Sequence, residues 1–413
     1  MNFGKIYHYA QIYKPFRLAP VVLSTNDLNC NFFHSAFSYL CTLKPTTMKV
    51  NQQLFNNREE ALTGLRNLNA SEYELHFLFA DKIYLEDAEI LKQIHETFKG
   101  TVLGGCSSSG EIGDKKFAEK SMVVTSVRLE KSCVKKACYR LKDVSDSRKA
   151  GEQIANELKG EGLKHIYIIS DGITVNGTRL IEGINSVYDK GVNVSGGLAG
   201  DNAAFIKTYV ADMENNFVSD IVTAIGFYGD AIQTGCGSFG GWDSFGIDRV
   251  VTKSKENVVY EIDGQPALDL YKSYLGDMSN ELPGSALFFP LEMRTSEDSE
   301  LLVRTILGVN EEEKSMTFAG NLPEGAFVRL MKTNVNRVID GAGKASGLVK
   351  ESVDREAQLL LMVSCVGRKL VLKQLVQDEV EAVTENFSQD TVFTGFYSNG
   401  EIAKMHFHDN CNL

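Results

Sequence analysis

The chain has 413 residues, more than one ordinary hydrophobic core accommodates, so two domains are expected. Hydrophobic residues make up 43% and charged residues 23%, the balance of a globular protein, and the net charge of −11 argues against nucleic acid or an anionic membrane as partner. No run of eighteen apolar residues is present to span a bilayer.

Residues 1–47 stand apart. Lys5, Lys14, Arg17 and Lys44 face a single acid, Asp27, a net +3 that leaves −14 for the remainder. The piece carries nine aromatics without a period. It also lacks the apolar block and small-residue cleavage site of a signal peptide, so it is expected to be a poorly ordered extension, with Met48 opening a normal domain.

YELHFLFAD (73–81) is then a strand signal, LEDAEILKQIHETF (85–98) has helical spacing, and TVLGG (101–105) is a short strand running into GGCSSSGEI (104–112). SMVVTSVRLE (121–130) and VKKACYRL (134–141) read as a following pair of strands. The order repeats in HIYIISDG (165–172), GTRLIEGINSVYDKG (177–191) and VNVSGGLAGDN (192–202). It repeats again in AQLLLMVSCVGR (357–368), a helix from Leu370 to Phe387, and VFTGFYSNGEI (392–402). MTFAGNLPEGAFVRLMK (316–332) is a weaker fourth candidate. Between the halves, residues 235–276 are glycine-rich, then strand-like, then a helix opened by Pro266. These elements predict an α+β (mixed α/β) fold in two related halves of repeated strand-helix-strand units, with mixed sheets covered by helices. The expected parts are 48–235 and 236–405, with a tail at 406–413.

The form Gly-x-x-Ser-x-Gly-Glu-Ile occurs at 105–112 and again at 395–402. The first copy lacks the last glycine of a nucleophile elbow. It carries Glu111 where a phosphate loop needs lysine, which reverses the charge. A hydrolase using Cys106 or Ser107 is a further reading, although no histidine lies nearby in the sequence. Binding survives best. Glycines let backbone N–H groups converge on a carboxylate, serines add hydroxyls, and a glutamate offers charge to an ammonium, which together suit a free amino acid. The candidate ligand-binding residues are Gly105, Cys106, Ser107, Ser108, Ser109 and Glu111, Asp171, Gly200, Asp201 and Asn202, and Tyr397, Ser398, Asn399 and Glu401. The bland reading is that these are ordinary turn formers, and that Asp171, Asn176 or Thr178 caps a helix. His406 and His408 share a strand face near Asp409 and Cys411, too open a set for structural zinc. The eight cysteines form no C-x-x-C pair and read as free thiols of a cytoplasmic protein.

GGCSSSGEI, GGLAGDN, the block GWDSFGIDRVVTKSKENVVYEIDGQPALDLYKSYLG and GFYSNGEI together resemble the N- and C-terminal parts of the FIST domain, over about residues 50 to 405. The resemblance implies an intracellular sensory module that binds small ligands, with amino acids proposed, and no catalysis. No kinase, cyclase, receptor or F-box segment accompanies it, so it implies a stand-alone sensor signalling to a separate partner protein. Some stand-alone relatives are haem proteins that sense nitric oxide and regulate a histidine kinase; their haem ligand maps to no particular position here.

Overall fold

In the first repeat, β2 (Leu75–Ala80) and β3 (Val102–Ser107) are parallel neighbours joined through α2 (Lys82–Leu85) and α3 (Ala88–Thr97), after β1 (Lys49–Phe55) and α1 (Arg58–Asn67). Every residue of β2 is buried, as a parallel strand covered on both faces requires, which is why LHFLFA reads as a continuous apolar run. Asp87 starts α3 by accepting the N–H groups of Glu89 and Ile90. The chain leaves through β4 (Glu111–Gly113) and β5 (Lys116–Ala118) and returns as β6 (Met122–Arg128), antiparallel to both β1 and β2.

The second repeat begins with β7 (Cys133–Arg140) and α4 (Ser147–Leu158). Parallel strands β8 (Leu163–Ser170) and β9 (Asn193–Leu198) then flank α5 (Gly177–Asn185), followed by β10 (Val210–Ala211), β11 (Phe217–Val218) and β12 (Ile221–Tyr228). Strand β12 lies antiparallel between β8 and β7. The sequence made β6 and β7 a consecutive pair; they belong to different sheets, because β6 closes the first repeat and β7 edges the second.

An antiparallel sheet separates these repeats from the third. It holds β13 (Trp242–Lys255), β14 (Val258–Ile262), β15 (Gln265–Pro266), β16 (Leu291–Arg294), β17 (Leu302–Arg304), β18 (Ile306–Asn310), β19 (Ser315–Phe318) and β20 (Phe327–Thr333), and α6 (Ala267–Leu275) packs on it. The weak fourth repeat at 316–332 is therefore absent: β19 and β20 are joined by residues 319–326 with no helix between them. After α7 (Val335–Glu351), the third repeat pairs β21 (Leu359–Cys365) in parallel with β22 (Val392–Ser398). Its connection is two helices, α8 (Val366–Leu372) and α9 (Val376–Thr384), rather than the single one expected. Strands β23 (Gly400–Lys404) and β24 (Asn410–Asn412) end the chain. This computed structural model describes residues 48–188, 192–296, 301–404 and 410–412. The extension at 1–47 and His406, His408 and Asp409 lie outside the described residues.

The architecture is α+β. The described residues belong to one compact unit, and its sheets cross the expected boundary at 235. Each repeat sends its exit strand into a neighbour's sheet: β4 pairs with β22, β23 with β9, and β10 with β3. The exchange closes a ring of three. Side chains of β2, β8 and β21 converge inside it. Phe77 meets Tyr167 edge-on at 5.6 Å between centroids, Phe79 tilts on Phe396 at 4.7 Å, and Leu361 and Val363 complete the cluster. Each buried aromatic contributes on the order of 1.5–3 kcal/mol.

The same glycine recurs in the three copies for one reason. A Cβ on Gly105 would stand 2.5 Å from the carbonyl oxygen of Leu78, on Gly196 1.9 Å from that of Ile168, and on Gly395 1.9 Å from that of Met362. Gly395→Ala is thus expected to lower stability by several kcal/mol, beyond the ~1 kcal/mol typical of a point substitution. A urea titration showing an unshifted midpoint would contradict this packing.

Candidate functional site

The three motif turns interlock where the exchanged strands cross. The Ser109 N–H donates to the Tyr397 carbonyl at 2.8 Å, and the Tyr397 N–H donates to the Gly110 carbonyl at 2.9 Å. The Gly200 N–H reaches the Ser107 carbonyl at 3.0 Å, and the Asn399 N–H reaches that of Leu198 at 3.0 Å. The Asn202 N–H donates to Ser109 Oγ at 3.0 Å and its side chain to Asp81 at 2.8 Å. Residues distant in sequence are thereby brought to one centre.

The first turn is sealed. Cys106, Ser107, Ser108, Ser109 and Glu111 have no exposed surface. The Ser108 hydroxyl donates to Glu111 Oε1, while the Ser121 N–H and hydroxyl donate to Oε2 at 3.2 and 2.7 Å. Burial raises the Glu111 carboxyl to about 8, so it is mostly protonated at neutral pH. Instead of offering its charge to an ammonium, Glu111 is an internal group with its partners supplied by the chain. Burial likewise holds the Cys106 thiol well above its usual range, and Ser107 Oγ accepts the Tyr209 N–H. Neither group is placed to attack a substrate.

Asp171 and Asp201 are also satisfied internally. Asp171 accepts from the N–H groups of Ile173 and Thr174 and from the Thr208 hydroxyl, and Asn176, not Asp171, caps α5. Asp201 accepts from the N–H groups of Phe205, Ile206 and Lys207, which holds a loop where Asn202, Ala203 and Phe205 have left-handed backbones.

The third turn differs because it opens onto a cavity of about 1340 Å³ between the repeats and the antiparallel sheet. Gly105, Gly200 and the sealed first turn do not line it; Asn399 and Glu401 do. Both side-chain polar atoms of Asn399 are buried without a partner. Such an orphaned amide is costly, on the order of 1–3 kcal/mol for each group. Glu401 is half-buried and accepts from the Ser398 hydroxyl, repeating the Ser108–Glu111 pair, and burial raises its carboxyl to about 7.

Beside it stand residues that the sequence reading missed. Arg368 donates from Nε to Glu379 at 2.5 Å and from Nη2 to the Val338 carbonyl at 2.6 Å, under the ring of Trp242. Glu379 also accepts from the Tyr397 hydroxyl and from Ser364. The clue was SCVGR (364–368), where an arginine follows the strand within one turn; nothing marked Glu379 among the acids of its helix.

Among the described residues no cluster of three or more His, Cys, Asp or Glu side chains could hold a metal ion. His165 is on the cavity wall, with Nε2 bonded to Ser195 at 2.8 Å and Nδ1 buried, and burial lowers it to about 4. Among the described residues no helix is long and apolar enough to cross a membrane.

Comparison with known proteins finds the FIST N domain at residues 74–265 and the FIST C domain at 267–404. An uncharacterized protein of Methanocaldococcus jannaschii is 24% identical over 233 residues, 53% of this chain; the match spans 43% of that protein's length. Domains of this type are associated with sensory signal transduction and ligand binding. Since the two domain matches together account for most of the chain and follow its order, the protein belongs to the FIST family.

Proposed function

We propose that the protein is a sensor that binds a free amino acid at the mouth of the third turn and reports it to a separate signalling protein. The carrying observation is Asn399, whose amide is buried with neither oxygen nor nitrogen partnered. Among the charged side chains on the cavity wall are a cation, Arg368, and a carboxyl, Glu401. With Nε and Nη2 engaged by the chain, Arg368 offers Nη1 to an α-carboxylate, and Glu401 with Asn399 Oδ1 takes the ammonium. An apolar ligand side chain extends along walls such as Leu361 and Met362. Of the fourteen residues nominated from sequence, Asn399 and Glu401 would touch ligand and the others would hold the turn in place.

Titration calorimetry with a panel of free amino acids tests the reading. Asn399→Leu keeps the volume and removes the orphaned amide, so affinity is expected to fall roughly tenfold to a hundredfold, the worth of one or two buried hydrogen bonds. The melting temperature should hold or rise. A lower melting temperature with unchanged affinity would make Asn399 scaffolding and refute the site. Glu401 must be ionised to hold an ammonium, and its free carboxyl titrates at about 7. Affinity should therefore climb from pH 6 to 8 and level off above, a trend that Glu401→Gln removes.

A further inference from the structure

The third repeat lacks a strand that the other two possess. In the first repeat β6 lies antiparallel along the outer edge of β2, and the Asp81 N–H donates to the Ser121 carbonyl at 3.0 Å. In the second, β12 does the same along β8, and the Asp171 N–H donates to the Ile221 carbonyl at 2.8 Å. β21 is the equivalent of β2 and β8, yet it is the terminal strand of its sheet and pairs with β22 alone among the described residues.

The register shows which groups are left over. The Val392 N–H donates to the Gln358 carbonyl at 3.0 Å, so Leu360, Met362 and Ser364 turn both backbone groups toward β22. Leu359, Leu361 and Val363 turn theirs the other way, where no described protein group meets them, and all three line the cavity. Their counterparts are Leu75, Phe77 and Phe79 on β2, each paired with β6, and Tyr167 and Ile169 on β8, each paired with β12. A row of unpaired backbone groups beside an apolar wall is a template for one more strand. The cavity volume of about 1340 Å³ also exceeds the roughly 300–1,000 Å³ of a small-molecule pocket, so an amino acid at the third turn would leave most of it unfilled.

We propose that the open edge of β21 takes up an extended, apolar segment of a partner protein, antiparallel and about seven residues long, in the place that β6 and β12 fill in the other repeats. Its chemistry follows from those two strands, MVVTSVR and IVTAIGFY, which are uncharged through their middles and rich in β-branched residues. A second copy pairing edge to edge would instead offer LLLMVSC, the sequence of β21 itself, and would show as self-association. This inference goes beyond the amino-acid reading and stands without it.

The experiment uses the full chain and a fluorescein-labelled peptide of sequence MVVTSVR, corresponding to residues 122–128. In β6 the residues facing β2 are Val123, Thr125 and Val127. Anisotropy should show saturable binding of this peptide. N-methylation at those three positions should weaken it at least tenfold, and methylation at Val124 and Ser126 should change it less than threefold. Amide hydrogen exchange should show slowing at Leu361 and Val363 on peptide addition. No binding, equal loss from both methylation patterns, or self-association of the protein in sedimentation would each overturn the proposal. Because the peptide readout involves no amino acid, its failure leaves the calorimetric result untouched, and the reverse holds too.

Discussion

Arg368→Ala is expected to lower the unfolding free energy by about 3–5 kcal/mol, the cost of leaving one member of a buried ion pair behind. The Arg368 and Glu379 side chains are 9% and 3% exposed and in contact at 2.5 Å. Without the guanidinium, Glu379 would sit in the interior with only the Tyr397 hydroxyl and Ser364 to solvate it, and the Val338 carbonyl would lose its donor. Arg368→Lys should recover little, since a single ammonium cannot reach both acceptors with the guanidinium's fork. The double substitution Arg368→Met/Glu379→Leu should recover much of the loss, because it removes both charges together. Urea midpoints of the four proteins measure this. A loss below about 1 kcal/mol for Arg368→Ala would show that the pair is wetter than its burial indicates.

Glu111 governs the second large effect, a dependence of stability on pH. Its carboxyl rises from the ordinary 4.5 to about 8 because burial disfavours the charge. The folded state therefore holds a proton that the unfolded state releases above pH 4.5. The stabilisation is complete below that value and is lost as pH rises through 8. Each unit of displacement corresponds to about 1.4 kcal/mol, so between pH 5 and 8.5 the loss is on the order of several kcal/mol. Glu401, raised to about 7, acts in the same direction. Glu111→Gln mimics the protonated acid: its amide can donate to Ser108 and accept from Ser121. The variant should match the parent within about 1 kcal/mol at pH 5 and exceed it at pH 8.5. Equal midpoints for the two proteins at pH 8.5 would mean that Glu111 ionises inside the fold without penalty.

The sequence displayed the repeats because their signals are local. An apolar run ending in an acid marks β2 and β8, helical spacing marks α3 and α5, and a glycine at the same place marks each second strand. It could not display which sheet a strand joins. β6 and β7 are consecutive and alike, yet only long-range pairing assigns them to different repeats. The candidate site was legible in part for the same reason. Glycine, serine and glutamate announce a turn, but whether a turn opens or is sealed depends on what packs over it. Ser108–Glu111 and Ser398–Glu401 are the same local structure, one closed by Ser121 and the other facing a cavity. Arg368 and Glu379 were invisible as a pair because each is an ordinary residue of its own helix.

The exchange of exit strands has a consequence for synthesis on the ribosome. Strand β4 pairs with β5 on one edge, but its other edge meets β22 only when Thr394, Gly395 and Phe396 have emerged, some 280 residues after Gly113. At about 5–20 residues per second that interval lasts roughly 15–60 seconds, during which the edge of β4 that faces β22 has no partner strand. The amino-terminal repeat leaves the ribosome complete in sequence but unfinished in structure. A chain stalled or cleaved before residue 394 would expose the buried face of β4 and should be a client of chaperones rather than a smaller folded protein.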